Sequence, residues 1–254
     1  MAPSLTVGVP RLAFAGEVLF ESFRFRLEGG RWTCLLGPSG VGKTTLLRLI
    51  AGLQPGALVA TEDGRGLEGR LALMAQQDLL LPWLTVLDNV LLGHRLRGER
   101  RERRLVEEAC RLLAELGLEG QLHALPATLS GGMRQRVALA RTLLEGRPVV
   151  LMDEPFSALD AITRHRLQDL AARYLDHHTV LLVTHSPLEA LRLGHRVCVM
   201  AGRPVQLREI EVPISPIPRD PADPLLLRLE AELLRELARS DAEMERRSCA
   251  SSGR

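Results

Sequence analysis

Apolar residues in this chain fall into short continuous runs separated by segments of helical periodicity. Residues 32–36, 148–154 and 179–185 are such runs, a pattern typical of parallel strands that are covered on both faces. Residues 19–28 instead alternate apolar and polar side chains, which predicts a half-buried strand. Weaker strand patterns lie within residues 53–70, 72–76 and 196–210.

Amphipathic helices are predicted between the strands. From Arg100 to Leu116, apolar residues recur three and four positions apart, which is the spacing of one helix face. Alternating strands and helices imply right-handed strand–helix–strand units, so we expect an α/β fold with an open parallel sheet. The end of the chain, residues 248–254, is predicted to be disordered. The other predicted helices cover residues 44–52, 131–145, 161–176 and 224–239.

Composition restricts the class of protein. With 254 residues, of which 46% are hydrophobic, the chain can bury a large core. Its 33 basic and 31 acidic residues nearly cancel, which argues against a dedicated nucleic-acid-binding protein. No apolar stretch reaches the roughly 18–20 residues that span a bilayer, and the first residues lack the pattern of a secretory signal. The four scattered cysteines fit a reducing compartment, so we expect a soluble intracellular protein.

One basic residue differs from all the others. Lys43 is the only lysine among the 33 basic residues, and the rest are arginines. A guanidinium is a broad planar fork, whereas an ammonium is a compact point charge. Lys43 therefore indicates a site into which a guanidinium does not fit.

The segment around Lys43 matches the pattern of a phosphate-binding loop, G-x-x-x-x-G-K-[ST], and it lies between a predicted strand and a predicted helix. Glycines allow backbone N–H groups and the helix N-terminus to surround phosphates. Lys43 is expected to reach the β- and γ-phosphates, and the Thr44 hydroxyl is expected to coordinate Mg²⁺. We expect a nucleoside triphosphate to bind Gly37, Pro38, Ser39, Gly40, Val41, Gly42, Lys43, Thr44 and Thr45.

Two carboxylates end the apolar run at residues 148–154. Asp153 and Glu154 would be costly to bury there without a metal or another partner. We interpret Asp153 as a Mg²⁺ ligand and Glu154 as the general base that polarises the attacking water. The alternative is that these residues and Pro155 merely end the strand as a turn.

Three further places are candidates for ligand contact. Ser130 is a good N-cap before Gly131 and Gly132, so this helix start offers N–H groups to a second anion; an ordinary capped helix is the alternative. Because one phosphate-binding loop holds one triphosphate, a second such helix start suggests a partner subunit. Gln76 and His185 each follow a predicted strand, at the end where ligands collect in an open α/β sheet.

Taken in this order, the motifs resemble those of the ATP-binding subunit of an ABC transporter over roughly residues 5–240. The resemblance implies ATP and Mg²⁺ as ligands, catalytic roles for Glu154, His185 and Gln76, and a metal site formed by Thr44, Gln76 and Asp153. It also places Phe14 against the adenine, although an aromatic near a strand is more often part of a core. It further identifies a signature that contacts the partner subunit's ATP, Ser130, Gly131, Gly132 and Met133. The D-loop is identified as Ser157, Ala158, Leu159 and Asp160.

The same resemblance implies a P-loop NTPase fold. Its RecA-like parallel sheet core carries an inserted α-helical subdomain and a small N-terminal antiparallel β-subdomain. We expect one ATP-binding domain over residues 1–254, with two departures from the family pattern. Residues 53–72 are shorter than the usual strand pair, and Ser186 stands where Asp commonly follows the histidine. The expected parts are the nucleotide-binding core with its β-subdomain (1–76 and 148–212), the helical subdomain (77–147), and a proline-rich exit with the C-terminal helix and tail (213–254).

Residues 80–83, LLPW, and Met133 are similar to importers of nitrate, sulfonates, taurine and thiamine-precursor pyrimidines. This resemblance implies that the ATPase is a homodimer and lies on the cytoplasmic face of the inner membrane as a peripheral protein. It would act with a separate membrane permease and with an extracytoplasmic solute-binding protein. No nucleic acid is expected as a partner. Among solutes, the appearance of residues 30–53 favours a pyrimidine thiamine precursor over a sulfonate or nitrate. Trp83 is expected to anchor a short helix of the permease, the alternative being a core-packed loop.

Two other functions remain open from the sequence. One is a soluble ATPase of the same superfamily in DNA repair or translation, and the other is an exporter subunit. The first class usually carries paired cassettes, zinc motifs or coiled-coil insertions, none of which this sequence has. The LLPW segment argues against the exporter.

Overall fold

The computed structural model describes the backbone of residues 2–251 and the side chains of residues 2–239. It contains a large sheet, a small sheet and helices on their faces. The strands are β1 (Leu5–Phe14), β2 (Glu17–Leu27), β3 (Trp32–Leu36), β4 (Leu58–Thr61), β5 (Leu71–Met74), β6 (Val149–Asp153), β7 (Thr179–Val183), β8 (Arg196–Ala201) and β9 (Gln206–Ile210). The α-helices are α1 (Lys43–Ile50), α2 (Val86–Val90), α3 (Leu92–Leu96), α4 (Arg103–Glu115), α5 (Gly131–Leu144), α6 (Ala161–Tyr174), α7 (Pro187–Leu193) and α8 (Pro224–Ser251).

The large sheet is the open, mainly parallel sheet that the apolar runs predict. Its six strands lie in the order β5-β6-β7-β3-β8-β9, and all neighbouring pairs are parallel except β8 with β9. Every residue of β3, β6 and β7 is buried, because helices or the small sheet cover both faces. The parallel strands therefore end together at one edge, where the polar residues that follow them meet.

The small sheet is antiparallel and has the order β2-β1-β4. Leu5, Val7 and Val9 of β1 point into the core, and this alternation is typical of a half-buried strand. The short segment 53–72 supplies the single strand β4, which pairs with β1 from Leu5 to Gly8. A β-subdomain therefore forms although the usual strand pair is shortened.

The helical part lies between β5 and β6, as expected for an inserted subdomain. Helices α2, α4 and α5 pack on one another through apolar residues, among them Val90, Leu112, Leu113 and Val137. This packing fixes the start of α5, where the predicted signature lies. The exact limits of the subdomains stay a prediction.

The C-terminal part packs on α7, mainly through α8. The buried Arg219 joins the two, since its guanidinium donates to the carbonyl oxygens of Leu191 (2.5 Å) and Gly194 (2.7 Å). Helix α8 continues to Ser251 and so includes the first four residues of the tail for which disorder is predicted. Residues 240–251 contain good helix formers and neither glycine nor proline, so nothing ends the helix there. The rest of that predicted tail, residues 252–254, lies outside the described residues.

Candidate active site

The phosphate-binding loop connects β3 to α1 and is tightly packed on both sides. At Gly37 an added Cβ would lie 2.5 Å from the Met200 carbonyl oxygen of β8, so no larger residue fits. Gly42, at the start of α1, has φ of +108°, a conformation that favours glycine. The loop can therefore follow a path that keeps its backbone close to a ligand.

Lys43 lies inside this loop rather than on the surface. Its side-chain ammonium donates hydrogen bonds to the carbonyl oxygens of Gly37 (2.6 Å) and Pro38 (2.8 Å). Only 9% of the residue is exposed, so the space around the ammonium is small. The lone lysine of the sequence is thus placed where a planar guanidinium would meet the backbone.

Thr44 and Asp153 come together across the loop. The Thr44 hydroxyl donates to the Asp153 Oδ2 atom at 2.7 Å, although the two residues are 109 positions apart. Burial raises the pKa of Asp153, the hydrogen bond from Thr44 opposes the increase, and the charge of Glu154 adds to it. One hydroxyl and one carboxylate at the phosphate loop form the sparse oxygen set that Mg²⁺ takes when substrate phosphates and water complete its shell. These residues therefore fit a Mg²⁺ ion.

The three predicted catalytic residues meet at a single carboxylate oxygen. Gln76 Nε2 donates to Glu154 Oε2 at 3.3 Å, and His185 Nδ1 lies 3.3 Å from the same oxygen. Each residue follows a different strand of the large sheet, namely β5, β6 or β7. Glu154 has a φ of +51°, which is unusual for a residue with a side chain, and its backbone N–H is held by the Val183 carbonyl.

A cavity of about 390 Å³ lies between the phosphate loop and the first hairpin. Phe14 stands at one side of it, at the end of β1, and is 49% exposed. Its exposed ring excludes the alternative of a core aromatic and leaves a face on which a base can stack. The same cavity is lined by Lys43, Thr44 and Asp153, so one ligand can reach all of these residues.

The predicted signature lies elsewhere. Ser130 caps α5, since its hydroxyl accepts a hydrogen bond from the Met133 N–H at 3.2 Å. Neither it nor the two glycines after it are among the described residues that line the cavity beside Phe14. Within one chain the helix start and the phosphate loop thus face different spaces.

The D-loop packs against the start of α5. An added Cβ at Gly132 would lie 3.1 Å from the Ala158 carbonyl oxygen, which leaves almost no room for a side chain. The end of this loop, Asp160, caps α6 by accepting from the Thr163 N–H at 3.0 Å. The signature and the D-loop therefore form one continuous surface.

Gln135 is a site residue that the sequence patterns do not reveal. Its amide donates to the Glu154 carbonyl oxygen (2.8 Å) and accepts from the Ala158 N–H (2.8 Å), so it joins α5 to both the predicted base and the D-loop. It lies five positions after the N-cap Ser130, in the run that follows the two glycines. Its place shortly after the predicted N-cap is the only sequence feature that could have indicated Gln135 as a site residue.

The segment after Gln76 is also attached to α5. Arg134 Nε donates to the Asp78 carboxylate at 2.9 Å, and Arg141 donates to the backbone carbonyls of Asp78 (2.7 Å) and Leu79 (3.0 Å). Burial lowers the pKa of Arg141, so this contact is made at a desolvation cost. The segment after Gln76 is therefore joined to the helix that starts with the signature.

Trp83 lies on the surface with 71% of its area exposed, so the alternative of a core-packed loop is wrong. The loop that carries it is nevertheless well supported from below by Asn89 of α2. The Asn89 side chain accepts from the Leu81 N–H (2.8 Å) and donates to the carbonyl oxygens of Leu81 and Leu84 (3.2 and 3.1 Å). A large apolar side chain on a fixed loop is typical of an interaction surface.

Sequence comparisons identify several relatives of this chain. The family described as "ABC transporter" matches residues 20–157. The aliphatic sulfonates import ATP-binding protein SsuB 1 of Pseudomonas savastanoi is 44% identical over 240 residues, which cover 92% of this chain and 95% of that protein. A protein of the same name from Rhodococcus jostii is 47% identical over 219 residues, covering 85% of each chain. An uncharacterised ABC transporter ATP-binding protein of Haemophilus influenzae is 44% identical and covers 89% of this chain and 95% of its own.

Solved structures share the fold. The ATP-binding cassette MJ0796 in a dimeric post-hydrolysis state bound to ADP and Pi has a TM-score of 0.71 and 27% identity, covering 82% of this chain and 99% of that one. Another dimeric structure of the same cassette has a TM-score of 0.68 and 28% identity, covering 77% and 93%. The α/β fold predicted above, with its helical and antiparallel parts, is confirmed by these neighbours. Among the residues that our structure describes, no helix has the length and apolarity needed to cross a membrane.

Proposed function

Because this chain belongs to the ABC transporter family, we propose that it is the ATP-hydrolysing subunit of an import system. Membership of this family makes the chain an ATPase. We assign its catalytic centre from one observation: Gln76 and His185 both contact Glu154 Oε2. Two side chains, each from the end of a different strand, contact the carboxylate of a third beside the phosphate loop. Such an arrangement is suited to orienting a water molecule for attack on a phosphate.

The chain's own groups suffice to position the reactants. The loop amides and Lys43 would bind the β- and γ-phosphates, and Phe14 would stack on the adenine. Glu154 would accept the proton of the attacking water, with Gln76 and His185 fixing its carboxylate. Thr44 and Asp153 would hold Mg²⁺, which would offset negative charge on the phosphate oxygens.

A Glu154→Gln variant tests the assigned base. The amide keeps the shape and the contacts of the site but cannot accept a proton, so we expect hydrolysis to fall by about 100-fold or more while ATP still binds. Phosphate release and binding of a fluorescent ATP analogue are measured on one preparation. Glu108→Gln, an exposed carboxylate of α4, is the matched control and should keep the wild-type rate. A Glu154→Gln enzyme with normal turnover would contradict the assignment.

We further propose that two copies enclose two ATP molecules. The signature at Ser130 would contact the nucleotide held by the partner's phosphate loop, since it faces away from the cavity of its own chain. The proposal is supported by the dimeric state of the related cassette. The slow Glu154→Gln variant should form a dimer on size exclusion only when ATP is present. A variant that stays monomeric with ATP, even beside its permease, would count against the dimer.

The import role implies a peripheral position at the cytoplasmic face of the inner membrane, on a separate permease. We propose that the loop bearing Trp83 contacts that permease and that an extracytoplasmic binding protein delivers the solute. The names of the relatives favour an aliphatic sulfonate, ahead of the thiamine-precursor pyrimidine that the sequence first suggested. Uptake assays with each labelled solute, in cells that lack or carry the ATPase, distinguish the two. Failure of the chain to sediment with membranes that contain its permease would favour a soluble ATPase instead.

A further inference from the structure

A second cationic residue reaches the nucleotide cavity from a distant part of the chain. Arg203 lies at the tip of the hairpin formed by β8 and β9 and lines the same cavity as Phe14 and Lys43. Its guanidinium donates to the Gly40 carbonyl oxygen of the phosphate loop at 3.3 Å and also contacts the Glu17 carboxylate. No motif in the sequence indicates this position.

The hairpin tip is fixed in place, so the location of Arg203 does not depend on a freely moving turn. The N–H of Val205 donates to the Leu19 carbonyl oxygen of β2 at 2.8 Å, and Val205 is buried. The preceding strand touches the phosphate loop directly, because Met200 leaves no space for a side chain at Gly37. Phe14 and Glu17 are paired in the β1–β2 hairpin. The guanidinium is therefore held between the base-binding side and the phosphate-binding side of the cavity.

The charges around the cavity favour a role toward phosphate. Among the described residues that line it, the acids are Glu17, Asp153 and Glu154, and the cations are Lys43 and Arg203. A triphosphate adds several negative charges to a lining that is already acidic, so each cation contributes to its binding. Guanidinium groups form strong, directional hydrogen bonds with phosphate oxygens.

The contact between Arg203 and Glu17 is one that a phosphate can replace. The side chains are 41% and 57% exposed, and exposed ion pairs contribute little free energy. A guanidinium has five N–H donors, and the bonds to Glu17 and Gly40 use two of them. Turning from Glu17 toward a bound nucleotide needs only a side-chain movement, since the backbone of the tip is anchored.

We propose that Arg203 is a further nucleotide-binding residue, which exchanges the Glu17 carboxylate for a phosphate oxygen of the bound nucleotide while it continues to support Gly40. This rests on the proposed assignment of the cavity to ATP. It makes Glu17 a competitor of the phosphate. The two partners of one ion pair are then expected to have opposite effects on nucleotide affinity.

Titration with a fluorescent ATP analogue, with unlabelled ATP and ADP as competitors, tests this opposition. Arg203→Gln should weaken binding of ATP by about tenfold or more, and Arg203→Lys should recover part of the loss. Glu17→Gln should bind ATP more tightly than the wild type. Arg24→Gln, which removes an exposed charge from the neighbouring strand β2, controls for net charge and should change affinity by less than about twofold.

Two results would overturn the proposal. The first is wild-type affinity for ATP in Arg203→Gln. The second is that Arg203→Gln and Glu17→Gln weaken ATP binding equally and both lower Tm, which would mean that the ion pair only stabilises the hairpin. If Arg203→Gln does not fold, the ATP affinities of Arg203→Lys and Glu17→Gln still test the proposal, because both variants keep a cation at position 203. A wild-type chain that binds no ATP would instead contradict the proposed function itself.

Discussion

The surface that carries Trp83 depends on the buried side-chain amide of Asn89. We therefore expect replacement of Asn89 to destabilise this surface. Asn89 is the only asparagine of the sequence, is fully buried in α2, and holds the preceding loop through its side chain. Three of its hydrogen bonds go to backbone groups of Leu81 and Leu84, and a fourth goes to the Thr85 carbonyl oxygen within its own helix turn (3.0 Å). Asn89→Ala removes all four at once.

The size of the effect follows from these bonds. Each intramolecular hydrogen bond contributes a net free energy of about 1 kcal/mol, so losing the three that hold the loop should cost about 3 kcal/mol. For a domain of this length, 1 kcal/mol changes Tm by roughly 2–4 °C, which predicts a Tm lower by about 6–12 °C. Asn89→Asp should be at least as damaging, because it keeps the acceptor for Leu81 but points a second oxygen at carbonyl oxygens.

Thermal unfolding followed by circular dichroism measures the loss, and co-purification with the permease measures its consequence for the surface. Gln206→Ala, an exposed amide at the sheet edge, is the matched control and should change Tm by less than about 2 °C. If Asn89→Ala melts within about 2 °C of the wild type, or if Asn89→Asp is as stable as the wild type, Asn89 does not hold the loop. The inference that the Trp83 surface is preorganised would then be wrong.

Three further predictions address the phosphate loop, the permease surface and the core. Lys43→Arg keeps the charge but should abolish tight binding of a fluorescent ATP analogue, because the wider guanidinium cannot fit between the loop carbonyls; equal affinity would contradict a narrow site. Trp83→Ala should weaken permease association with Tm and ATP affinity almost unchanged, and normal association would contradict its role as an anchor. Burial raises the pKa of Glu189, so the folded state holds that proton more tightly and its stability decreases as pH rises above the unfolded pKa of about 4.3. Glu189→Gln should therefore show a flatter dependence of Tm on pH as the pH rises above about 4.3, and a profile parallel to that of the wild type would refute this.

The part of the site that could be predicted from the sequence lies at the ends of parallel strands. Gln76, Glu154 and His185 each follow an apolar run, and the topology of an open sheet brings such positions to one edge. Their meeting at that edge could be expected without coordinates. The distances, and the positive φ of Glu154, could not.

The residues that sequence reasoning missed share a physical reason. Gln135, Asn89 and Arg203 all bind backbone groups, and any residue can supply a backbone carbonyl or N–H, so the partner leaves no pattern in the sequence. Arg203 and Gly40 are 163 positions apart and meet only because β8 lies beside β3 in the folded sheet. Such contacts depend on tertiary structure, which local periodicity does not encode.

These backbone contacts also determine how the parts of the site are connected. Helix α5 holds the Glu154 carbonyl through Gln135 and holds the segment after Gln76 through Arg134 and Arg141. The hydrogen bond between Gln76 and Glu154 is therefore supported at both ends by the helix that Ser130 caps. Because a helix of this length moves as a rigid element, a ligand that displaces Gln76 from Glu154 must either stretch these bonds or move the start of α5 with it. The second course would stretch the bonds that Gln135 makes to Glu154 and Ala158, and it would carry a change at the proposed catalytic carboxylate to the surface that holds the signature.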